Sequence, residues 1–230
     1  MAIVKAESWD GVTAPAIPSG WSTVAAWGSE TSVFASAANG VQNTTTAVTT
    51  VAFWNTNNDG NGGDAMTSAT FLFSGAGTNI ACYVFCRMTT ASTLQSGITS
   101  YVSQLHFAGA GGPAVFLRKL VGGTATLLGT IGSLTLSLTD SYVLYCRTVG
   151  TTIILRVKRV SDGKWLNSSG SFVTGQQDAI TVTDSSISGV GKSGISMQRG
   201  TGADFVYSDD FLFETVVTAV ARRRCGSTFF

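Results

Sequence analysis

The side chains able to carry acid, base or metal chemistry are sparse here: 13 carboxylates, 14 lysines and arginines together, and one histidine among 230 residues. That histidine, His106, stands in Tyr101-Val-Ser-Gln-Leu-His-Phe107, where strand alternation gives it the same face as Val102 and Gln104. A lone imidazole acts as a general base only beside a nucleophile or an orienting carboxylate. The sequence sets neither next to it, so a structural or solvent-facing role is expected. Among the acids, Asp210 and Glu214 share one face of the same strand. Four strand residues hold them roughly 13 Å apart, beyond the ~5–9.5 Å that paired glycosidase carboxylates need. They read as outward polar groups on an edge strand, with Asp209 forming a turn.

Ligand or metal chemistry has one candidate segment, Asn55-Thr-Asn-Asn-Asp-Gly-Asn-Gly-Gly-Asp64. Its oxygen-bearing side chains alternate ahead of a glycine, as in calcium loops. Yet Met66 stands where a bidentate glutamate belongs, and only Asp59 and Asp64 are anionic. No cofactor is expected of such a set, which would hold calcium weakly at best; Asn/Gly-rich loops use these side chains to shape turns. A ligand bound here would stack a sugar ring on Trp54 and hydrogen-bond its hydroxyls to Asn57, Asp59, Asn61 and Asp64. The four cysteines, Cys82, Cys86, Cys146 and Cys225, include no Cys-x-x-Cys pair, and one histidine cannot complete a zinc set. Cys82 and Cys86 share a strand face roughly 13 Å apart, too far to bridge, so buried free thiols are expected. Gly109-Ala-Gly-Gly112 and Gly189-Val-Gly-Lys-Ser193 precede no helix, and without a helix terminus they are turns rather than phosphate cradles.

The elements that would position these groups are strands. Runs rich in Val, Ile, Thr, Phe and Tyr, separated by Gly-Gly, Asn-Gly and Asp-Gly signals, predict strands at 2–9, 21–27, 31–36, 47–55, 67–74, 79–88, 101–107, 114–120, 125–131, 141–148, 151–160, 170–174, 193–198 and 204–214. The clearest hairpin joins Tyr142–Thr148 to Thr152–Arg159 through Val149-Gly150; Ile153, Leu155 and Val157 face inward, Arg156 and Lys158 outward. In the last strand Phe211 and Phe213 point one way and Asp210, Leu212 and Glu214 the other, and its expected partner is the first strand, near Ile3–Asp10. About fourteen short strands at this spacing predict two packed antiparallel sheets. The division expected is one β-sandwich domain, 1–214, followed by an interaction tail, 215–230.

Several short patterns carry a resemblance. Glu7-Ser-Trp-Asp-Gly11 with Thr13-Ala-Pro-Ala-Ile-Pro-Ser-Gly-Trp21, the Ile153 to Trp165 hairpin with its Asp-Gly turn, Gly189-Val-Gly-Lys-Ser-Gly-Ile195, and Tyr207-Ser-Asp-Asp-Phe-Leu-Phe-Glu214 resemble segments of concanavalin A-like (laminin-G-like) jelly-roll domains. The resemblance spans residues 5 to 214 and implies a two-sheet antiparallel jelly-roll sandwich. It also implies surface recognition of some kind, since the family includes lectins, glycan-binding modules, glycan-cleaving enzymes and adhesive or decorating domains of phage particles. Members that hydrolyse β-glucans carry Glu-x-Asp-x-x-Glu on one strand; this chain has no such triplet.

Charged residues make up only 12% of the chain, about half the ~25% usual for soluble domains, and the net charge is +1. No long-range field draws it to nucleic acid or anionic membrane, and no apolar run reaches the ~18 residues of a spanning helix. The opening Met-Ala-Ile-Val-Lys-Ala-Glu has no signal-peptide core, so the expectation is retention in the producing cell, release by lysis, or a trimmed leader. The tail combines a β-branched apolar start, the cations Arg222, Arg223 and Arg224, and a terminal Phe229-Phe230, which suits docking on a partner. These features rank a non-enzymatic structural or adhesive virion protein first: a phage capsid decoration or a tail or fibre component, made in the host cytoplasm. Its partners would be other virion proteins or further copies of itself in a homo-oligomer. The alternative is a carbohydrate-binding, lectin-like module that meets cell-surface glycan in an extracellular setting; a glycan-cleaving enzyme ranks last.

Overall fold

The computed structural model describes residues 2–7, 21–24, 27–30, 40–43, 50–55, 64–74, 80–90, 97–107, 112–189, 191–198 and 205–215. Among these residues there are seventeen strands and no helix. In chain order they are β1 (Ala2–Glu7), β2 (Trp21–Val24), β3 (Trp27–Glu30), β4 (Gly40–Asn43), β5 (Thr50–Asn55), β6 (Ala65–Ser74), β7 (Ala81–Thr90), β8 (Thr99–His106) and β9 (Ala114–Val121). There follow β10 (Thr124–Ile131), β11 (Ser141–Val149), β12 (Thr152–Arg159), β13 (Trp165–Leu166), β14 (Phe172–Val173), β15 (Ile180–Thr183), β16 (Lys192–Gln198) and β17 (Phe205–Thr215).

They form two antiparallel sheets, as a jelly-roll sandwich requires. The ten-stranded sheet runs β14-β13-β12-β11-β6-β17-β4-β3, with β1 on β17 and β15 on β12; the seven-stranded sheet runs β10-β9-β8-β7-β16-β5-β2. Between them lies a dry core. From the larger sheet come Ala69, Phe71, Phe73, Tyr142, Leu144, Leu155, Val157, Phe211 and Phe213, and from the smaller Cys82, Val84, Cys86, Tyr101, Leu105, Leu117, Ile195 and Met197. Each large side chain buried in this way contributes roughly 1.5–3 kcal/mol.

The chain's ends meet as the alternation predicts: β1 pairs β17 from Ala2↔Thr215 to Glu7↔Phe211. Phe211 and Phe213 are buried while Asp210 is exposed. Two expectations at this strand are corrected. Strand β17 is interior, flanked by β6 on one side and by β4 and β1 on the other, so it has no free edge. Asp209 forms no turn; it is buried at a bulge where the register with β6 shifts between Asp209 and Leu212, and Asp210 takes a left-handed φ of 49°.

The hairpins follow their turn chemistry. Gly122 and Gly123 sit at φ 57° and 85° between the paired Val121 and Thr124, as a type I′ turn demands. Gly150 at φ 56° opens the turn from β11 to β12. At the Asp162-Gly163 turn, Arg159 donates to Asp162 at 2.6 Å and the Lys164 amide donates to Asp162 at 3.2 Å. Arg156 lies on the outer face of β12, as the alternation predicts, and is nonetheless buried, paired there with Asp178 in the coil after β14. The strand expected at 31–36 lies outside the described residues.

Candidate functional site

The seven-stranded sheet has an outer face that the core does not use, and its residues are set by register. Directly paired residues of antiparallel strands stand on the same face. One row therefore runs Ser196–Tyr83–Gln104–Phe116–Thr130 across β16, β7, β8, β9 and β10. The next runs Trp54–Gly194–Phe85–Val102–Arg118–Leu127, beginning on β5. Core residues Cys82, Val84 and Cys86 alternate with Tyr83 and Phe85 and take the opposite face.

The middle of these rows, from Ser196, Tyr83 and Phe85 to Val102, Gln104 and Arg118, floors a groove of about 200 Å³, far more than the ~10–15 Å³ that one water needs. Tyr83, Phe85, Val102, Gln104, Arg118 and Ser196 form its base, and Ile98, Leu120, Gly123 and Ala125 its wall. The wall is the β9–β10 hairpin, tied to the start of β8 by the Gly123 amide on the Ile98 carbonyl at 2.9 Å and the Gly122 amide on Thr99 Oγ1 at 3.1 Å. A glycine pair is needed there for the turn's positive φ angles. The local chemistry of the wall is thus a consequence of the hairpin.

The polar groups of the floor are locked in a relay. The Tyr83 hydroxyl donates to Gln198 Oε1 at 2.6 Å and accepts from Gln104 Nε2 at 3.3 Å. Burial pushes the Tyr83 hydroxyl well above its usual range, against a smaller opposing pull from Arg118, so it stays a protonated donor. Because its proton is spent on Gln198, it meets the amino end of Gln104, and Gln104 Oε1 is left buried with no partner among the described residues. Gln104 is only 6% exposed. Arg118 Nε is likewise buried without a partner among the described residues, and the guanidinium lies 4.8 Å from the centre of the Phe116 ring. An unpaired buried acceptor costs about 1–3 kcal/mol. His106, at the next step along β8, has its pKa lowered by burial and then by Arg118, which keeps it neutral.

Of the residues the sequence singled out, Trp54 occupies a register position opposite Gly194, in the row of Phe85, Val102 and Arg118. Asn57, Asp59 and Asn61 lie outside the described residues, as do Arg222, Arg223, Arg224, Phe229 and Phe230. Asp64 is described: its Oδ1 accepts from the Gly150 amide at 2.7 Å and from Arg87 at 3.3 Å. Arg87 also donates to the carbonyls of Gly150 at 2.7 Å and Ile187 at 3.1 Å, which ties β7 to the β11–β12 turn. Among the described residues no group of three or more His, Cys, Asp and Glu could hold a metal ion. Asp210 and Glu214 belong to the ten-stranded sheet and do not line the groove. The groove's own residues escaped the sequence because they come from five separate strands. Their only local signal was the outward alternation of Tyr83 with Phe85 and of Val102 with Gln104.

A second polar cluster is structural. Tyr101 donates to Asp184 at 2.7 Å, Lys119 to Asp184 at 2.8 Å, and the amide of Ser186 to Asp184 at 2.8 Å. Burial opposes ionisation of Asp184, but the hydrogen bonds from Lys119, Tyr101 and Ser186 outweigh it and hold the carboxyl well below its ordinary range. Burial and then Asp184 push the Tyr101 hydroxyl up to about 12. Together they fasten the chain after β15 to the smaller sheet.

No protein-family model matches the chain, and no curated protein matches it in sequence. Solved structures do match in shape. A carbohydrate-binding module, CBM66 from Bacillus subtilis, superposes with a TM-score of 0.56 at 13% identity, covering 85% of this chain and 96% of that one. A legume lectin-like domain from Entamoeba histolytica gives 0.60 at 13% identity over 86% and 91%. The exoplasmic/lumenal domain of VIP36, bound to Ca2+ and Man3GlcNAc, gives 0.54 at 13% identity over 87% and 93%. With two antiparallel sheets, no helix among the described residues and these neighbours, the chain has the concanavalin A-like jelly-roll fold of lectin-like and carbohydrate-binding domains.

Proposed function

We propose that this protein is a non-enzymatic carbohydrate-binding module whose saccharide lies in the groove on the outer face of the seven-stranded sheet. The observation that carries this reading is the floor itself: aromatic Tyr83 and Phe85 beside a buried amide, Gln104, whose acceptor has no partner among the described residues. Sugar rings present apolar C–H faces that pack on aromatic rings and hydroxyls that pair with fixed amides, so a few convergent polar groups on an apolar base suit them. The neighbours lend support, since one is titled a carbohydrate-binding module and another is bound to Man3GlcNAc. Neither fold nor neighbours favour the virion role expected from the sequence over this alternative. A glycan-binding module of this kind works outside the cytoplasm, and an extracellular setting is the matching location.

The test is a panel of immobilised glycans spanning neutral, acidic and sulfated types, probed with the full chain and competed with free oligosaccharide. Saturable binding to one class, displaced by the same sugar in solution, supports the reading. Absence of competable binding to every class removes it.

A further inference from the structure

The groove's charge points to the kind of saccharide, an inference that rests on the carbohydrate-binding reading above. Among the described residues lining it, Arg118 alone is charged. Three other arginines each have a carboxylate: Arg87 pairs with Asp64, Arg156 with Asp178 and Arg159 with Asp162. Arg118, like Arg147 on the larger sheet, enters none of the five ion pairs among the described residues; of the two, only Arg118 lines the groove. What it has instead is the Phe116 ring beneath the guanidinium and a buried Nε–H with no acceptor among the described residues. Arg118 is half-buried, and a cation partly withdrawn from water is stabilised when an anion or strong acceptors meet it.

The surroundings sharpen the choice. Val102, which shares Arg118's register position, and Phe85 beyond it are buried apolar groups, so the guanidinium borders a low-dielectric floor where charge attraction is stronger than in water. Gln104 stands diagonally across the β8–β9 ladder, roughly 7–8 Å away, and its orphaned Oε1 can only accept. One site thus offers a planar cationic donor and, a sugar's width away, a neutral acceptor. A guanidinium takes two oxygens of an anionic group side by side, and the amide oxygen takes a hydroxyl proton.

We infer that the groove binds an acidic saccharide, with Arg118 holding its anionic oxygens and Gln104 Oε1 accepting from a hydroxyl of the same ring. The shared chemistry is a planar or near-planar pair of anionic oxygens, supplied either by the carboxylate of a uronic-type sugar or by a sulfate ester.

The experiment is calorimetric titration of the full chain with three matched oligosaccharides: a uronate, its carboxyl-reduced counterpart, and the neutral chain bearing sulfate. Wild type should bind an anionic form at least about tenfold tighter than the reduced form, the gain falling as salt rises. Arg118→Gln should abolish that preference while leaving residual binding of the neutral sugar; Arg118→Lys, which keeps charge but not the fork, should retain part of it. The Lys variant decides the matter if the Gln variant fails to fold. Preference for uronate assigns carboxylate, and preference for the sulfated chain assigns sulfate; both uphold the inference. Equal affinity for the three overturns it while the carbohydrate-binding reading survives. Failure of all three, together with the glycan panel, overturns both.

Discussion

Replacing Gly191 with alanine tests a close backbone approach at the start of β16 in the seven-stranded sheet. A Cβ at Gly191 would lie 2.4 Å from the Arg87 carbonyl carbon, 2.7 Å from Arg87 Cα and 2.7 Å from the Met88 nitrogen. Non-bonded carbons rest about 3.5–4.0 Å apart, so the strands would have to part by roughly 1 Å. They cannot do so cheaply. The approach occurs where β7 bulges, with Arg87 at φ 52° and the β16–β7 register shifting between Lys192 and Gly194. The obstacles are backbone atoms, so no rotamer change relieves them, and Arg87 is itself held by the carbonyls of Ile187 and Gly150. Overpacking costs about 1–3 kcal/mol, and a backbone obstacle puts this site at the upper end, about 3 kcal/mol. At roughly 2–4 °C per kcal/mol for a domain of this size, Tm should fall by roughly 6–12 °C. Gly132→Ala is the matched control: nothing lies within 4 Å of the added Cβ, and alanine there should be neutral or stabilise by up to about 1 kcal/mol. Parallel thermal and urea unfolding of the two variants gives the comparison. A Gly191→Ala protein that melts within about 2 °C of wild type would show that the close approach does not constrain this sheet.

Other expectations follow from the polar clusters. Asp184→Asn should destabilise the fold by about 2–3 kcal/mol, because charge-assisted bonds from Lys119 and Tyr101 are weakened together. Since the folded-state pKa of Asp184 is depressed, its contribution is complete above the unfolded value of ~3.9 and is lost as pH falls through the folded one. Urea midpoints taken downward from pH 5 should therefore drop less steeply in the Asn variant. His106 behaves in the corresponding way at higher pH. Its lowered pKa means the unfolded chain takes up its proton first, near pH ~6.5, so stability is full above that value and declines below it. A His106→Gln protein that declines between pH 7 and 5 as steeply as wild type would contradict this. Cys82, Cys86 and Cys146, free and buried, should resist a thiol reagent in the native state and react on unfolding, as read by mass spectrometry.

Much of the sandwich was legible because buried strands announce themselves by alternation. The β11–β12 hairpin and the facing of Phe211 and Phe213 follow from period-two patterning alone, and so does the pairing of the first strand with the last once one closed domain is required. What was not legible has physical causes. Strands β13 and β14 span two residues each, too few to carry a period, and β15 gains its place by pairing with β12 across a coil of no regular pattern. Asp178's cover over Arg156 arises from that same coil. Gly191 read as an ordinary turn glycine, whereas the backbone of Arg87 and Met88, distant in sequence and on another strand, is what excludes a side chain there.

The groove was hidden for a related reason. Tyr83, Gln104, Arg118 and Ser196 come together only through the registers of four strands, and outward residues on a sheet are ordinarily just solvated. Sequence alone drew attention to the loop after Trp54, where asparagine and aspartate cluster. Trp54 then proves to share a register row with Phe85 and Arg118, so the residue singled out from sequence and the groove found in the structure lie on one line of the sheet.

The most direct test of the groove as the saccharide site is a titration of the best glycan from the panel against three proteins: wild type, Gln104→Leu, and the loop variant Asn57→Ala with Asp59→Ala. Each is first checked for an unchanged melting profile, with Tyr83→Phe replacing the leucine variant should that one fail. Loss of an otherwise unsatisfied acceptor's bond should weaken binding in Gln104→Leu by about tenfold or more, while the loop variant keeps most of its affinity. Undiminished binding by Gln104→Leu, with loss confined to the loop variant, would move the site to the loop and contradict the account.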